Sequence, residues 1–138
     1  MIVKVTDLSG GRLPFRAHPH DAGADLHAAD EYIIPARSRV AVRTGIAVHI
    51  PIGYVGLIHP RSGLAANSGI TVLNAPGTID AGYAGEVKVL LHNTSDDSVW
   101  IDLDERIAQL VVQRVELCTF KWGSGGGVRG ENGFGSTG

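Results

Sequence analysis

The chain has 138 residues, 43% of them hydrophobic, and a formal net charge of −2. That length gives one domain able to bury most of its unfolded surface, and a pI near 6.3 supplies no basic footprint for duplex DNA or RNA. The single cysteine, Cys118, excludes an internal disulfide, Met1-Ile2-Val3-Lys4 opens no signal-peptide core, and no apolar run approaches membrane-spanning length; a cytosolic, cytoplasmic protein is expected.

In chain order the sequence reads as short strands cut by turns. Asp21-Ala22-Gly23-Ala24-Asp25-Leu26 is a polar turn in which Asp25 either orients a metal-bound water or caps the loop. Val40, Val42, Ile46, Val48 and Ile50 all fall on even positions, which predicts a strand pair pivoting at Thr44-Gly45. Pro60-Arg61-Ser62-Gly63-Leu64-Ala65 follows an apparent strand and opens the one short helix, with Ser62 as its N-cap. Such a helix start offers free N–H groups and positive partial charge to a phosphate, and Arg61 adds a forked cation; a plain surface arginine on a capped helix is the competing reading.

Ile70-Thr71-Val72-Leu73 and Ser98-Val99-Trp100-Ile101 are further strands, and Val87, Val89 and Leu91 alternate with Glu86, Lys88 and His92 in another. Gly77 to Glu86 reads as a tight hairpin leading into the Val87 strand. Asp80 at its turn is either a rigidly held base for a water or a turn-forming aspartate, and Tyr83 is either a core ring or a wall against a sugar. In Arg106 to Leu117 the residues Ile107, Leu110, Val111 and Val115 fit a helix face, whereas Ile107, Val111, Val115 and Leu117 share a strand face. Dense valines and the lack of caps favour a strand. The fold class expected is mostly β, a barrel or sandwich over residues 1–122 with at most one short helix, followed by a flexible arm over 123–138.

That arm holds eight glycines between Gly123 and Gly138 together with Arg129, Phe134, Ser136 and Thr137. On composition alone a solvated tail is favoured. A guanidinium, a ring and two hydroxyls among glycines also suit a lid over a nucleotide. His18 and His20 lack the further ligands a zinc site needs, Cys118 reads as core, and the acidic stretch from Asp96 to Glu105 reads as solvated loop.

Five segments in order resemble the motifs of the trimeric deoxyuridine triphosphatase family: Ala22-Gly23-Ala24-Asp25-Leu26, Pro60 to Ala65, Asn74 to Gly85, Arg106-Ile107-Ala108-Gln109-Leu110, and Arg129 to Gly138. The resemblance implies a jelly-roll-like homotrimer with sites shared between subunits. It also implies hydrolysis of dUTP to dUMP and pyrophosphate with Mg²⁺, which limits uracil incorporation into DNA and supplies dUMP for thymidylate synthesis. Asp80 would activate the water and Asp25 would hold a water of the Mg²⁺ shell. Arg61, Ser62 and Gly63, helped by Gln109, would bind the triphosphate. Asn74, Thr78, Ile79 and Lys88 would read uracil, Tyr83 would exclude ribose, Phe134 would stack on the base, and Arg129, Gly135, Ser136 and Thr137 would hold the γ-phosphate. No nucleic acid or membrane partner is implied.

Two departures stand out from the resemblance. Asp104-Glu105-Arg106 replaces the common Gly-Asp-Arg, which questions the local turn, and Glu131-Asn132 adds charge near the phosphates. Two alternatives differ in class: a dCTP deaminase-like enzyme and a non-catalytic dUTP-binding regulatory protein. The deaminases place a catalytic glutamate eleven residues after the Ile of their Ile-Asp turn; here that position is Leu90.

Overall fold

A computed structural model describes residues 1–128, 130, 131 and 133–135. Among these residues the elements run β1 (Lys4–Asp7), β2 (Ala24–His27), β3 (Tyr32–Ile34), β4 (Arg39–Arg43), β5 (Ile46–His49), β6 (Tyr54–His59), α1 (Ser62–Ser68), β7 (Ile70–Val72), β8 (Gly77–Ile79), β9 (Lys88–Asn93), β10 (Val99–Ile101) and β11 (Arg106–Arg114). A four-stranded sheet, ordered β2-β11-β6-β8, and a three-stranded sheet, ordered β4-β9-β7, are flanked by two-stranded ribbons, β1-β5 and β10-β3. All the pairings are antiparallel. The architecture is the expected mostly-β one with a single short helix; it is a sandwich whose ladders, among the described residues, do not close into one barrel.

Period-two alternation explains the core. Leu26, Ile58, Ile79, Ala108 and Leu110 of the larger sheet pack in one cluster with Val42, Ile70, Val72, Val89 and Leu91 of the smaller. A polar side chain ties this cluster to its rim. Asn93 is fully buried, and its amide nitrogen donates to the carbonyls of Ile34, Pro35 and Asp97. Its amide oxygen accepts from the Ser95 N–H and hydroxyl, so every polar atom is partnered.

The sequence pattern found the strands more readily than their partners. Residues 40–50 do form two strands that turn at Gly45, whose φ of 71° suits a glycine. They do not pair with each other, because β4 joins β9 while β5 joins β1. Likewise β8 and β9 lie in different sheets, so the segment 80–87 is a connector between sheets rather than a hairpin ladder.

Arg106–Arg114 is a strand, but its buried face is not Ile107, Val111, Val115 and Leu117. The register with β2 passes from Arg106↔His27 to Ala108↔Leu26, leaving Ile107 as the extra residue of a β-bulge. Ile107, Ala108 and Leu110 are therefore all buried, and Val115 and Leu117 are exposed. Cys118 is exposed rather than in the core, because β11 has ended before it. Residues 115–128 contain no strand or helix and are exposed throughout.

Candidate functional site

The bulge at Ile107 builds the first half of the site. Side chains two apart on a strand share a face, so Asp25 and His27 point the same way from β2. Three residues apart, Arg106 and Gln109 would face opposite sides of β11 but for the bulge. With it, Arg106 pairs His27 and Gln109 pairs Asp25, which brings all four to the outer face of the larger sheet. Gly23 packs on Gln109, where an added Cβ would stand 3.0 Å from Gln109 Oε1.

Asp25 is buried, and its two oxygens meet two guanidinium groups. Arg61 Nε lies 3.3 Å from Oδ1 and Arg106 Nη1 3.3 Å from Oδ2. Arg61 also donates to the Arg106 carbonyl at 3.0 Å. Neither Asp25 Oδ1 nor Arg61 Nε makes a well-aligned hydrogen bond. A buried carboxylate oxygen that is ion-paired but accepts no aligned hydrogen bond is a suitable acceptor for a water carried by a hard cation. Among the described residues there is no group of three or more His, Cys, Asp or Glu side chains that could cage a metal. A cation here would need most of its ligands from substrate and water, which suits Mg²⁺.

Arg61, not Ser62, occupies the N-cap of α1, with extended φ and ψ of −93° and 128°. Ser62 is the first helical residue, and no side chain caps the helix. Nothing lies within 4 Å of a Cβ placed on Gly63, so the helix start is open. Asp25, Arg61, Ser62, Gly63 and Gln109 thus share one corner. His27, which the sequence did not single out, sits beside them with Nδ1 unpartnered. Burial, then the Arg12 cation, lowers its pKa below 6.5.

The second half lies at the far edge of the same sheet. A cleft of about 160 Å³ is lined by Asn74, Thr78, Ile79, Asp80, Tyr83 and Lys88, together with Ile58, Gly77, Glu86 and Val87. Every connector residue expected from sequence to meet the base, the sugar and the water lies there. Asp80 is exposed one residue past β8, and the Tyr83 N–H donates to its carbonyl at 3.2 Å. The Tyr83 hydroxyl donates to the Glu86 carbonyl at 3.0 Å, folding the ring over Gly85. A Cβ on Gly85 would come within 2.6 Å of that hydroxyl, so the ring holds this position only over a glycine.

The two halves do not meet within one chain. Asp25 shares a row with Gln109 and His59, while Asp80 follows Ile79, which pairs Gly56. Asp80 is therefore four residues along β6 and three strands across from Asp25. Strand spacings make this roughly 13 Å along and roughly 14 Å across, about 20 Å on the diagonal. In the arm, Phe134 and Gly135 are exposed, and Arg129, Ser136 and Thr137 lie outside the described residues.

The dUTPase family profile matches residues 10–138. The chain belongs to the dUTPase family. It is 54% identical to the deoxyuridine 5'-triphosphate nucleotidohydrolase of Thermobifida fusca over 129 residues, covering 91% of this chain and 72% of that one. For the Corynebacterium glutamicum enzyme of the same name the identity is 53%, covering 91% and 87%. The fold matches the Staphylococcus bacteriophage 80alpha dUTPase with dUpNHpp at a TM-score of 0.88 and 32% identity, over 99% of this chain and 98% of that one. A mutant dUTPase of phage phi11 of S. aureus, with a structural Mg(II) ion, matches at 0.84 and 26% identity, over 91% of this chain and 98% of that one. As a dUTPase, the chain is a hydrolase of nucleotide metabolism that converts dUTP to dUMP. Neither the deaminase nor the binding-protein alternative is favoured. No helix among the described residues is long and apolar enough to cross a membrane.

Proposed function

We propose that dUTP is hydrolysed in a site shared between copies of this chain, most simply a homotrimer, with the connector cleft of one copy facing the Asp25 corner of another. The observation that carries this reading is the gap of about 20 Å between Asp80 and Asp25, against the hydrogen-bond reach that a general base needs. The exposed apolar residues Val115, Leu117, Phe120 and Trp122, which would be costly left in water, also argue for a partner copy.

In this site the cleft holds uracil against Asn74, Thr78, Ile79 and Lys88. Uracil presents an N–H at position 3 and a carbonyl at position 4, whereas cytosine presents an acceptor and an amino group. A cleft built for the first leaves polar groups unpaired against the second. The Tyr83 ring walls the 2′ carbon against ribose. Asp80 takes a proton from water as its oxygen bonds to the α-phosphorus, the bond from that phosphorus to the bridging oxygen breaks, and pyrophosphate leaves in line. Arg61, the N–H groups of Ser62 and Gly63, and Gln109 bind the triphosphate.

Asp25 Oδ1 would accept from a water on Mg²⁺, and the bound cation would neutralise phosphate charge. Residues 123–138 act as an arm that closes on a complete triphosphate. In it Phe134 stacks on the base, while Arg129, Gly135, Ser136 and Thr137 hold the γ-phosphate.

Pyrophosphate release from dUTP, dCTP, dTTP and UTP with Mg²⁺ tests these roles. The wild type should turn over dUTP alone, and Asp80→Asn should lower kcat by about 10²–10⁴-fold with little change in KM. An Asp80→Asn enzyme of near-native rate would remove Asp80 as the base.

A further inference from the structure

Tyr83 is held by two hydrogen bonds to the main chain. Between Asp80 and Gly85, the bonds from the Tyr83 N–H to the Asp80 carbonyl and from the Tyr83 hydroxyl to the Glu86 carbonyl are the ones found among the described residues. The ring is therefore referenced to the main chain of Glu86. What fixes Glu86 lies outside the cleft, on the turn between β4 and β5.

Arg43 Nε donates to both oxygens of the Glu86 carboxylate, at 3.1 and 3.2 Å. The Gly45 N–H donates to Oε1 at 2.9 Å. The Glu86 side chain is only 15% exposed, so this ion pair is shielded from water more than an ordinary surface pair. The next residue is tied down too: Thr44 Oγ1 donates to the Val87 carbonyl at 2.6 Å, and the Val87 N–H donates to the Ile46 carbonyl at 2.8 Å. Arg43 itself also reaches Asp30 at 3.2 Å and Ser9 Oγ at 2.6 Å, and it stands opposite Lys88 in the β4–β9 register.

We propose that Arg43 is a positioning residue for sugar selection, acting through Glu86 on the tyrosine that walls the 2′ carbon. The proposal rests on the reading of Tyr83 given above. Because 80–87 bridges two sheets without a ladder of its own, a shift of Glu86 passes directly to the ring. Loosening the clamp lets Tyr83 swing away, which admits a 2′ hydroxyl while leaving the Asp80 and triphosphate chemistry in place. Arg43 therefore governs discrimination between dUTP and UTP more than the rate with dUTP.

The test is kcat and KM for dUTP and for UTP in Arg43→Gln, Arg43→Lys, Tyr83→Ala and the Arg43→Gln/Tyr83→Ala double variant. A ratio of kcat/KM values does not depend on how much of a preparation is folded, so a merely structural loss cancels. Arg43→Gln should lower the dUTP-over-UTP ratio by about tenfold with kcat for dUTP within about threefold, and Arg43→Lys should fall between it and the wild type. The double variant should discriminate no worse than Tyr83→Ala. An unchanged ratio in both Arg43 variants, with Tyr83→Ala still losing discrimination, would overturn the clamp and leave the Tyr83 reading standing. A further drop in the double variant would show that Arg43 does not act through the ring. Full discrimination in Tyr83→Ala would sink the Tyr83 reading and the clamp with it.

Discussion

Two inactive variants should make an active enzyme when they are mixed within one oligomer. The perturbation pairs Asp80→Asn with Arg61→Ala, each of which spoils one half of the site. Within a single chain the halves lie about 20 Å apart across the β2-β11-β6-β8 sheet, four residues along it and three strands over. On the proposed reading, a complete site takes Asp80 from one copy and Arg61 from another. With equal co-expression and random assembly, a given site draws Asp80 from an Arg61→Ala chain half the time. It draws Arg61 from an Asp80→Asn chain half the time as well, so about a quarter of sites are native at both positions. The assay is pyrophosphate release per chain from differently tagged, doubly purified mixed oligomers. Double purification removes the unmixed trimers, and each mixed trimer holds one native site in three. The expected value is therefore about a third of wild-type kcat with unchanged KM, far above the background of either parent, since Asp80→Asn alone is down by about 10²-fold or more. Mixed oligomers no more active than the parents would refute the shared site, because one-chain sites can never regain both residues.

Further outcomes follow from the loop that precedes β11 and from the buried histidine. Asp104 adopts a left-handed φ of 65°, the conformation a glycine takes freely, so the Asp-for-Gly departure is absorbed by one of the few side chains that tolerate it. Asp104→Val should lose about 1–2 kcal/mol in urea unfolding while Asp104→Gly stays close to the wild type; equal stability of the two would contradict the left-handed turn. His27 faces Arg12, Asp25, Asp104 and Arg106, and burial lowers its pKa from 6.5. A lowered folded-state value means that the unfolded chain takes up the proton first. Its contribution to stability is therefore complete above pH 6.5 and is lost as pH falls through the folded-state value. Thermal midpoints between pH 7 and pH 5 should fall more steeply for the wild type than for His27→Gln, and parallel curves would contradict the assignment.

Much of the candidate cleft was legible because its residues are close in sequence. Asp80, Thr78, Ile79 and Tyr83 sit within six residues of one another, and the structure gathers them in one cleft with Asn74 and Lys88. Arg61 and Asp25 are far apart in sequence, and their 3.3 Å approach depends on strand order, which alternation cannot encode. Period-two runs reveal that Val42 and Val48 are buried but not that they face partners in different sheets. The bulge escaped for a similar reason: consecutive buried residues at Ile107 and Ala108 read as noise in an alternating pattern until a neighbouring strand fixes the register. Arg43 and Glu86 lie 43 residues apart, and no local signal joins them.

The extra residue at Ile107 behaves like a frameshift written into a strand. Everything downstream of it is read one step out of phase: Leu110 faces inward and Gln109 outward only because one residue has been skipped. Deleting Ile107 would restore an uninterrupted ladder with Gln109 still opposite Asp25, whereas forcing Ile107 into the ladder would invert that reading, pointing a glutamine at the core and a leucine outward. Loops elsewhere in the chain can gain or lose a residue at small cost, but between Arg106 and Gln109 it is the skipped rung, not the residue that fills it, that sets which side chains face outward.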